Sequence, residues 1–258
     1  MGGLRLSRLE PLHLAAALEE LRREGMGTRS LELCWDTLHA CLEEAVRRGL
    51  LGYNPMQRVP RPRHQPREAR DWTLEDMRRF LGAALGDERP LAWGLALVLL
   101  TGLRVGELLG LRWEDIDWSA GALQVRRSVT WAGKEWHVSK PKSKSGERVL
   151  SLPSLALRLL ERLPRDSVYL LWRQRPPAPK EMSDLMRQLC ERAGVPRRPP
   201  HYLRHAHSSV LVSLGLDVKT LQRRLGHASA SVTLDVYAYA LGEMDRQAAE
   251  VLDRALGA

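Results

Sequence analysis

Between residues 201 and 237 the chain sets imidazoles, a guanidinium and a phenol at separations that two or three helices can aim at one point: His201-Tyr-Leu-Arg204-His205, then Leu225-Gly-His227, then Thr233-Leu-Asp-Val-Tyr237. Such a set suits phosphate chemistry. Arg204 offers a planar fork of donors matched to phosphate oxygens. Histidines donate hydrogen bonds or move protons near neutral pH, and a tyrosine hydroxyl can act as a covalent nucleophile. Missing from this stretch are a second guanidinium and an acid for the leaving group. Taken singly, the residues have plain structural uses: His201 as a core histidine or helix cap, Arg204 as a surface charge, Tyr237 as a buried aromatic. Their joint occurrence carries the chemistry, since short motifs match by chance.

Two upstream stretches can supply the missing parts. The apolar run Trp93 to Leu100 leads directly into Thr101-Gly-Leu-Arg104-Val-Gly-Glu107. A charged Arg after a buried helix is costly unless it is paired or meets an anion, so Arg104 is a candidate second clamp. Glu107 either orients it or forms an ordinary helical ion pair. Further on, Lys140-Pro-Lys142-Ser-Lys144-Ser-Gly146 lies between two strand-like segments. A lysine at a hairpin tip can protonate a departing oxygen; the plain alternative is a solvated turn.

These three boxes, in this order, resemble those of the tyrosine recombinases, the phage-integrase family. The likeness rests on Thr101-Gly-Leu-Arg104-Val-Gly-Glu107-Leu-Leu-Gly-Leu-Arg-Trp-Glu-Asp-Ile-Asp117, on Pro141-Lys-Ser-Lys144-Ser-Gly-Glu-Arg-Val-Leu, and on His201-x-x-Arg204 with His227 and Tyr237. It implies a site-specific DNA recombinase or integrase in which Tyr237 attacks the scissile phosphate while Arg104 and Arg204 stabilise its non-bridging oxygens. His227 would donate a further hydrogen bond, His201 would assist proton transfer at Tyr237, and Lys144 would protonate the 5′-oxygen as it leaves. The intermediate is a 3′-phosphotyrosyl enzyme, formed without metal, ATP or other cofactor. Lys142 competes with Lys144 for the lysine's role. Tyr239 competes with Tyr237, but two positions along a helix turn a side chain by about 200°, and position 237 fits the family spacing after Leu-Gly-His. Tyr202 stands where many relatives have an acidic residue and Ser151 where proline is frequent; neither removes a catalytic group.

Other readings stay open at this stage. A type IB topoisomerase shares the chemistry but joins no partner sites. A DNA-binding protein with a relic active site would bind without covalent linkage. Leu216 to His227 has the look of part of a helix-turn-helix, as in a transcription factor. The weakest is a metallohydrolase using His201, His205 and His207, for no His-Glu-x-x-His accompanies them.

Composition agrees with a nucleic-acid partner. Lys and Arg number 40 against 31 Asp and Glu, a net charge of +9 in 258 residues, and that excess suits a polyanion. Three cysteines occur without a Cys-x-x-Cys spacing, which points to a reduced chain with small buried thiols, Cys34 and Cys41 sharing one packing surface. The longest apolar run, Leu91 to Leu103, is shorter than the roughly 20 residues a bilayer requires, and no signal peptide stands at the N-terminus. The expectation is a cytoplasmic, nucleoid-associated protein with no membrane partner. It would bind double-stranded DNA, monomeric in solution and a homo-oligomer, a tetramer, on DNA.

The elements that must position these groups read as mainly α with a small antiparallel β-sheet. Residues 1–57 form a shortened helical core-binding domain, SAM-like and lacking a first helix by the resemblance, with Ser7 capping the first of two helices. Residues 58–70 are a basic Pro/Arg linker whose Arg58, Arg61, Arg63 and Arg67 have Glu68 as their counter-charge within the stretch; they would cross a phosphate backbone or simply be solvated. Residues 71–258 are the catalytic domain. Within it Thr73 caps a helix, Leu123 to Leu152 make one small sheet, Ser183 caps a helix, and Arg197 and Arg198 are phosphate-contact candidates beside His201, as is Lys142. The tail, Leu241 to Ala258, is amphipathic at helical spacing; it folds back on its own domain or, as the resemblance implies, docks on a neighbouring protomer.

Overall fold

Two helices and a proline-led turn form the first of the two units into which the chain divides, residues 1–69 and 70–258. The structure is a computed structural model that describes residues 3–63, 71–133, 135–140 and 146–226. Helix α1, Pro11–Arg23, begins with proline at its first turn and Glu10 as N-cap, whose backbone N–H donates to His13 Nδ1 at 3.2 Å. Ser7 lies one step earlier, in the 3-10 turn Leu6–Arg8, and so is not the cap. Pro11 has no N–H to satisfy, which suits it to the first helical position.

Helix α2, Thr28–Arg47, buries a stripe with 3–4 spacing, and Leu42 packs with Leu14, Leu18, Met56 and Val59. Cys41 falls beside this stripe and is exposed, whereas Cys34 is half-buried, so the two thiols do not share one packing surface. The proline-rich stretch is part of this core up to Val59. Pro55 starts a 3-10 turn to Arg58, Asn54 accepts from the Met56 N–H at 3.0 Å, and Trp35 Nε1 donates to the Val59 carbonyl at 3.0 Å. Arg61 also has partners that the linker reading did not include: it grips Asp36 with two 2.8 Å hydrogen bonds and lies 3.1 Å from Glu32. This guanidinium holds the exposed Asp36 carboxyl below its usual range, through hydrogen bonding that outweighs the opposing desolvation.

The second unit is built around one apolar helix. Helix α3, Leu74–Leu85, starts at a capping box in which Thr73 and Asp76 satisfy each other's backbone. Helix α4, Pro90–Thr101, has no polar face and is buried along most of its length. It is followed by α5, Val105–Leu109, then strands β1, Ile116–Asp117, β2, Ala122–Val125, β3, Ser128–Ala132, β4, Glu135–Ser139, and β5, Arg148–Ser151. Helices α6, Ser154–Arg162, α7, Pro179–Ala193, α8, Tyr202–Ser213, and α9, Val218–Leu225, complete the described part. Helix α4 packs against α3, α5, α6, α7 and α8, so α5 and α8, which bear Glu107 and Arg204, both have this helix at their backs. Helix α7 starts at Pro179 with Ala178 as N-cap; Ser183 lies inside it and donates to the Pro179 carbonyl at 2.9 Å.

The strands form two sheets where one was expected. β1, β2 and β5 pair antiparallel in that order, with Leu123 opposite both Ile116 and Leu150. β3 and β4 form a separate hairpin in which Trp131 faces Trp136. The break falls at Arg126-Arg127, where Arg127 pairs with Asp115 at 2.7 Å and with Glu114, drawing the chain off the first sheet. The hairpin instead lies on α5, whose Gly106 permits it: a Cβ there would come within 2.5 Å of the Val129 carbonyl oxygen. No helix of the described residues is long and apolar enough to cross a membrane.

Candidate active site

Gly102 creates the first corner of the site. It ends α4 in the left-handed region, at φ 73°, with its N–H on the Val98 carbonyl at 2.9 Å, a conformation that favours glycine. It is also packed tightly, since a Cβ would approach His207 Cδ2 to 2.6 Å. The corner lifts Arg104 out of the apolar run to become the N-cap residue of α5. Its side chain is therefore 46% exposed, and the buried clamp is Arg204, at 12%. Sequence order suggested the reverse, because it does not show that a two-residue turn separates Arg104 from the core.

Glu107 is the hub. It is 3% exposed and each of its oxygens accepts twice: Oε1 from Arg104 Nη1 at 2.6 Å and Arg148 Nη1 at 3.2 Å, Oε2 from the Arg104 N–H at 3.0 Å and Arg148 Nη2 at 2.9 Å. Burial pushes this carboxyl up, but the Arg148 hydrogen bonds and charge, with those of Arg104, outweigh it and leave its pKa lowered. Glu107 thus orients Arg104 and is more than a helical ion pair.

Arg204 rises from α8 and is anchored from behind. Nη1 donates to the Gly102 carbonyl and Nη2 to the Leu225 carbonyl, both at 2.6 Å. Arg104 Nη2 reaches the next carbonyl, Gly226, at 3.4 Å. The two guanidinium groups therefore converge on the last turn of α9, and Gly226 ends that helix immediately before His227. Burial first, then the Arg104 charge, push the Arg204 pKa down to about 9, so it stays protonated at neutral pH. Among the described residues, Arg104, Arg148, Arg204 and the nearby Arg224 have Glu107 as their carboxylate. That imbalance favours an anion at the site.

Arg148 and the Arg224–His207 pair are the parts that sequence reasoning missed. Arg148 is 7% exposed and also donates through Nε to the Arg224 carbonyl at 2.7 Å. The signal was present, since Arg148 follows the lysine-rich segment in the Arg-Val-Leu-Ser-Leu strand, but strand alternation alone does not say which carboxylate it meets. His207 is buried, with Nδ1 2.9 Å from the Leu99 carbonyl and Nε2 accepting from Arg224 Nε at 3.1 Å. Both ring nitrogens are thus occupied, which takes His207 out of any three-histidine metal set. Burial, then the Arg224 charge, lower its pKa to about 4. Folding holds this imidazole neutral, so its contribution is complete above its unfolded value of 6.5 and is lost as pH falls towards 4. The expected cost is on the order of 3 kcal/mol over that window; denaturant titrations from pH 7 to pH 4 should show it, with a flatter slope in His207→Gln.

His201 is exposed at the start of α8, three residues before Arg204 and so on the same side of the helix. Tyr202, the residue standing at the acidic position, points elsewhere: its hydroxyl accepts from the Trp72 N–H at 2.8 Å and donates to Asp71 Oδ1 at 3.0 Å. Burial pushes that phenol's pKa up to about 12. Asp71 also lies 3.6 Å from Arg198 and 3.7 Å from His205. Arg198 packs over the Tyr202 ring at 4.6 Å and is 15% exposed. Arg197 remains largely exposed beside Glu191, at 2.7 Å. In the first unit, Arg58 lies 5.8 Å from the Tyr53 ring and Arg63 is exposed. Arg67, Lys142, Lys144, His227, Tyr237, Tyr239 and the tail lie outside the described residues.

Two arginines held by one buried carboxylate beside a helix end form a cationic site suited to a phosphate, on an α-helical unit with a small sheet. The family model of the phage integrases matches residues 73–243, and the chain belongs to this family: it is a tyrosine recombinase, an enzyme that breaks and rejoins DNA. It is 27% identical to the ICEBs1 integrase of Bacillus subtilis, over 91% of this chain and 68% of that one. Identity to a XerC-like tyrosine recombinase of Caldanaerobacter subterraneus is 26%, over 97% and 72%. Among solved structures, the Tn1549 transposon integrase in complex with transposon right end DNA superimposes with a TM-score of 0.77 at 20% identity, over 96% of this chain and 88% of that one.

Proposed function

We propose that this recombinase cleaves one DNA strand by attack of Tyr237 on the scissile phosphate. Arg104 and Arg204 hold the two non-bridging oxygens as charge builds in the five-coordinate state, where fixed donors in a water-poor site are most effective. His227 adds a hydrogen bond, His201 assists proton transfer from the Tyr237 hydroxyl, and Lys144 gives its proton to the departing 5′-oxygen. The product is a 3′-phosphotyrosyl enzyme and a 5′-hydroxyl. Attack by a 5′-hydroxyl on that linkage restores a phosphodiester and the free tyrosine, so bond energy is retained without ATP, and the guanidinium charge does the work a metal ion would otherwise do.

The observation that carries this reading is the convergence of Arg104 and Arg204 on the Leu225 and Gly226 carbonyls, next to Glu107 and one residue ahead of His227. The family supports the matching domain roles: residues 71–258 as the catalytic domain, residues 1–57 as a core-binding domain, and the basic stretch between them, with Arg58 and Arg63, against the DNA backbone. Strand exchange between two duplexes requires paired active sites, and a lambda integrase tetramer has been solved on a Holliday junction; a tetramer on DNA from a monomer in solution is the corresponding assembly here, at the nucleoid.

The test is a denaturing gel of the protein with supercoiled plasmid in EDTA, comparing the parent chain with Tyr237→Phe and Tyr239→Phe. A covalent protein–DNA adduct that disappears in Tyr237→Phe alone is the expected result. Loss in Tyr239→Phe instead would reassign the nucleophile, and no adduct from DNA-bound parent protein would overturn the reading in favour of a relic binder.

A further inference from the structure

Glu107 has room for about four hydrogen bonds on its two oxygens, and all four are made, two to Arg104 and two to Arg148. The third cation at hand, Arg204, stops 4.0 Å from Oε2. Among the described residues its donors go to the Gly102 and Leu225 carbonyls, and the rest of its fork has no partner there. Arg148 is therefore placed where its removal would open two acceptor positions on a buried carboxylate, with Arg204 as the nearest charge to fill them.

We propose that Arg148 is a positioning residue for strand cleavage, which saturates Glu107 and so keeps Arg204 directed at the phosphate. The inference rests on the phosphate-clamp reading above. The geometry around Arg148 supports more than charge neutralisation. Its backbone is fixed by pairing of β5 with β2, opposite Val125. Its Nη1 also donates to the Gly146 carbonyl at 3.1 Å and its Nε to the Arg224 carbonyl at 2.7 Å. One side chain thus joins the strand after the lysine-rich segment, the carboxylate that orients Arg104, and the α9 turn that receives both clamps. A lysine there would keep the charge but not the fork.

The test uses the site at which the parent chain forms its adduct, mapped on supercoiled plasmid and then synthesised as a duplex. One version carries a normal phosphodiester at the scissile position and the other a methylphosphonate, in which an uncharged methyl replaces one non-bridging oxygen and one clamp suffices. On the phosphodiester, Arg148→Gln should form adduct about 100-fold more slowly than the parent, and on the methylphosphonate within about threefold of it, the loss being that of one oxyanion donor. Arg148→Lys should fall between on the first substrate, and it carries the comparison if Arg148→Gln does not fold. Equal losses on both substrates, or no loss on either, overturns the proposal. Failure of the underlying function would look different: the parent chain itself would bind DNA and form no adduct, and both readings would fall together.

Discussion

Arg204→Ala is expected to form covalent adduct about 1,000-fold more slowly than the parent chain, and Arg204→Lys about 100-fold more slowly, on the scale of losing a preorganised oxyanion donor. The lysine variant is the more informative. It retains the charge, but one ammonium cannot span the Gly102 and Leu225 carbonyls and still present a second edge to phosphate. The alanine variant also leaves those two carbonyls without their partner, at about 1–3 kcal/mol of stability. Single-turnover adduct formation on the mapped site is the measurement, with gel-shift affinity as control. DNA binding spreads over many phosphate contacts, so it should change little. Parent-like cleavage by Arg204→Lys would remove Arg204 from the clamp.

Glu107→Gln should have the largest effect on the fold itself. The amide keeps the shape of the carboxylate but leaves Arg148, 7% exposed, as a buried cation without a counter-charge. Breaking one side of a buried pair costs about 3–5 kcal/mol, and in a unit of this size that corresponds to a fall in thermal midpoint of roughly 10 °C. Acid should imitate the substitution. The Glu107 pKa is lowered in the fold, so its contribution is present above the ordinary carboxylate value of 4.5 and is lost as pH falls below it. The parent chain should therefore lose midpoint in that range while Glu107→Gln, already neutral there, loses less. A Glu107→Gln protein with the parent's thermal midpoint at pH 7 would mean that the ion pairs drawn to this carboxylate contribute no net stability.

The neighbourhood of Tyr202 shows how a departure from the family pattern is absorbed. At a position where relatives often have an acid, the phenol turns away from the phosphate site and reaches Asp71 and the Trp72 backbone. Asp71 there lies 3.6 Å from Arg198 and 3.7 Å from His205. Arg198, a phosphate-contact candidate in the sequence, packs here against the Tyr202 ring and lies near Asp71.

What the sequence determined by itself is local and periodic. The capping box at Thr73, the apolar middle of α4 and the two-helix start follow from spacing and backbone preference, which act within a few residues. The family also follows from the sequence, because three motifs of mixed polar residues in fixed order rarely arise from packing alone. Tertiary structure decided which charges meet. Arg104 and Arg204 are 100 residues apart in sequence and adjoin because α4 ends in a left-handed Gly102 whose carbonyl takes Arg204. Glu107 and Arg148 are 41 residues apart and meet through the pairing of β5 with β2. The split into two sheets at Arg127 and the capture of Arg61 by Asp36 are of the same kind. A charged residue's role depends on its distance to the opposite charge and on the water between them, and neither quantity is encoded in its neighbours along the chain.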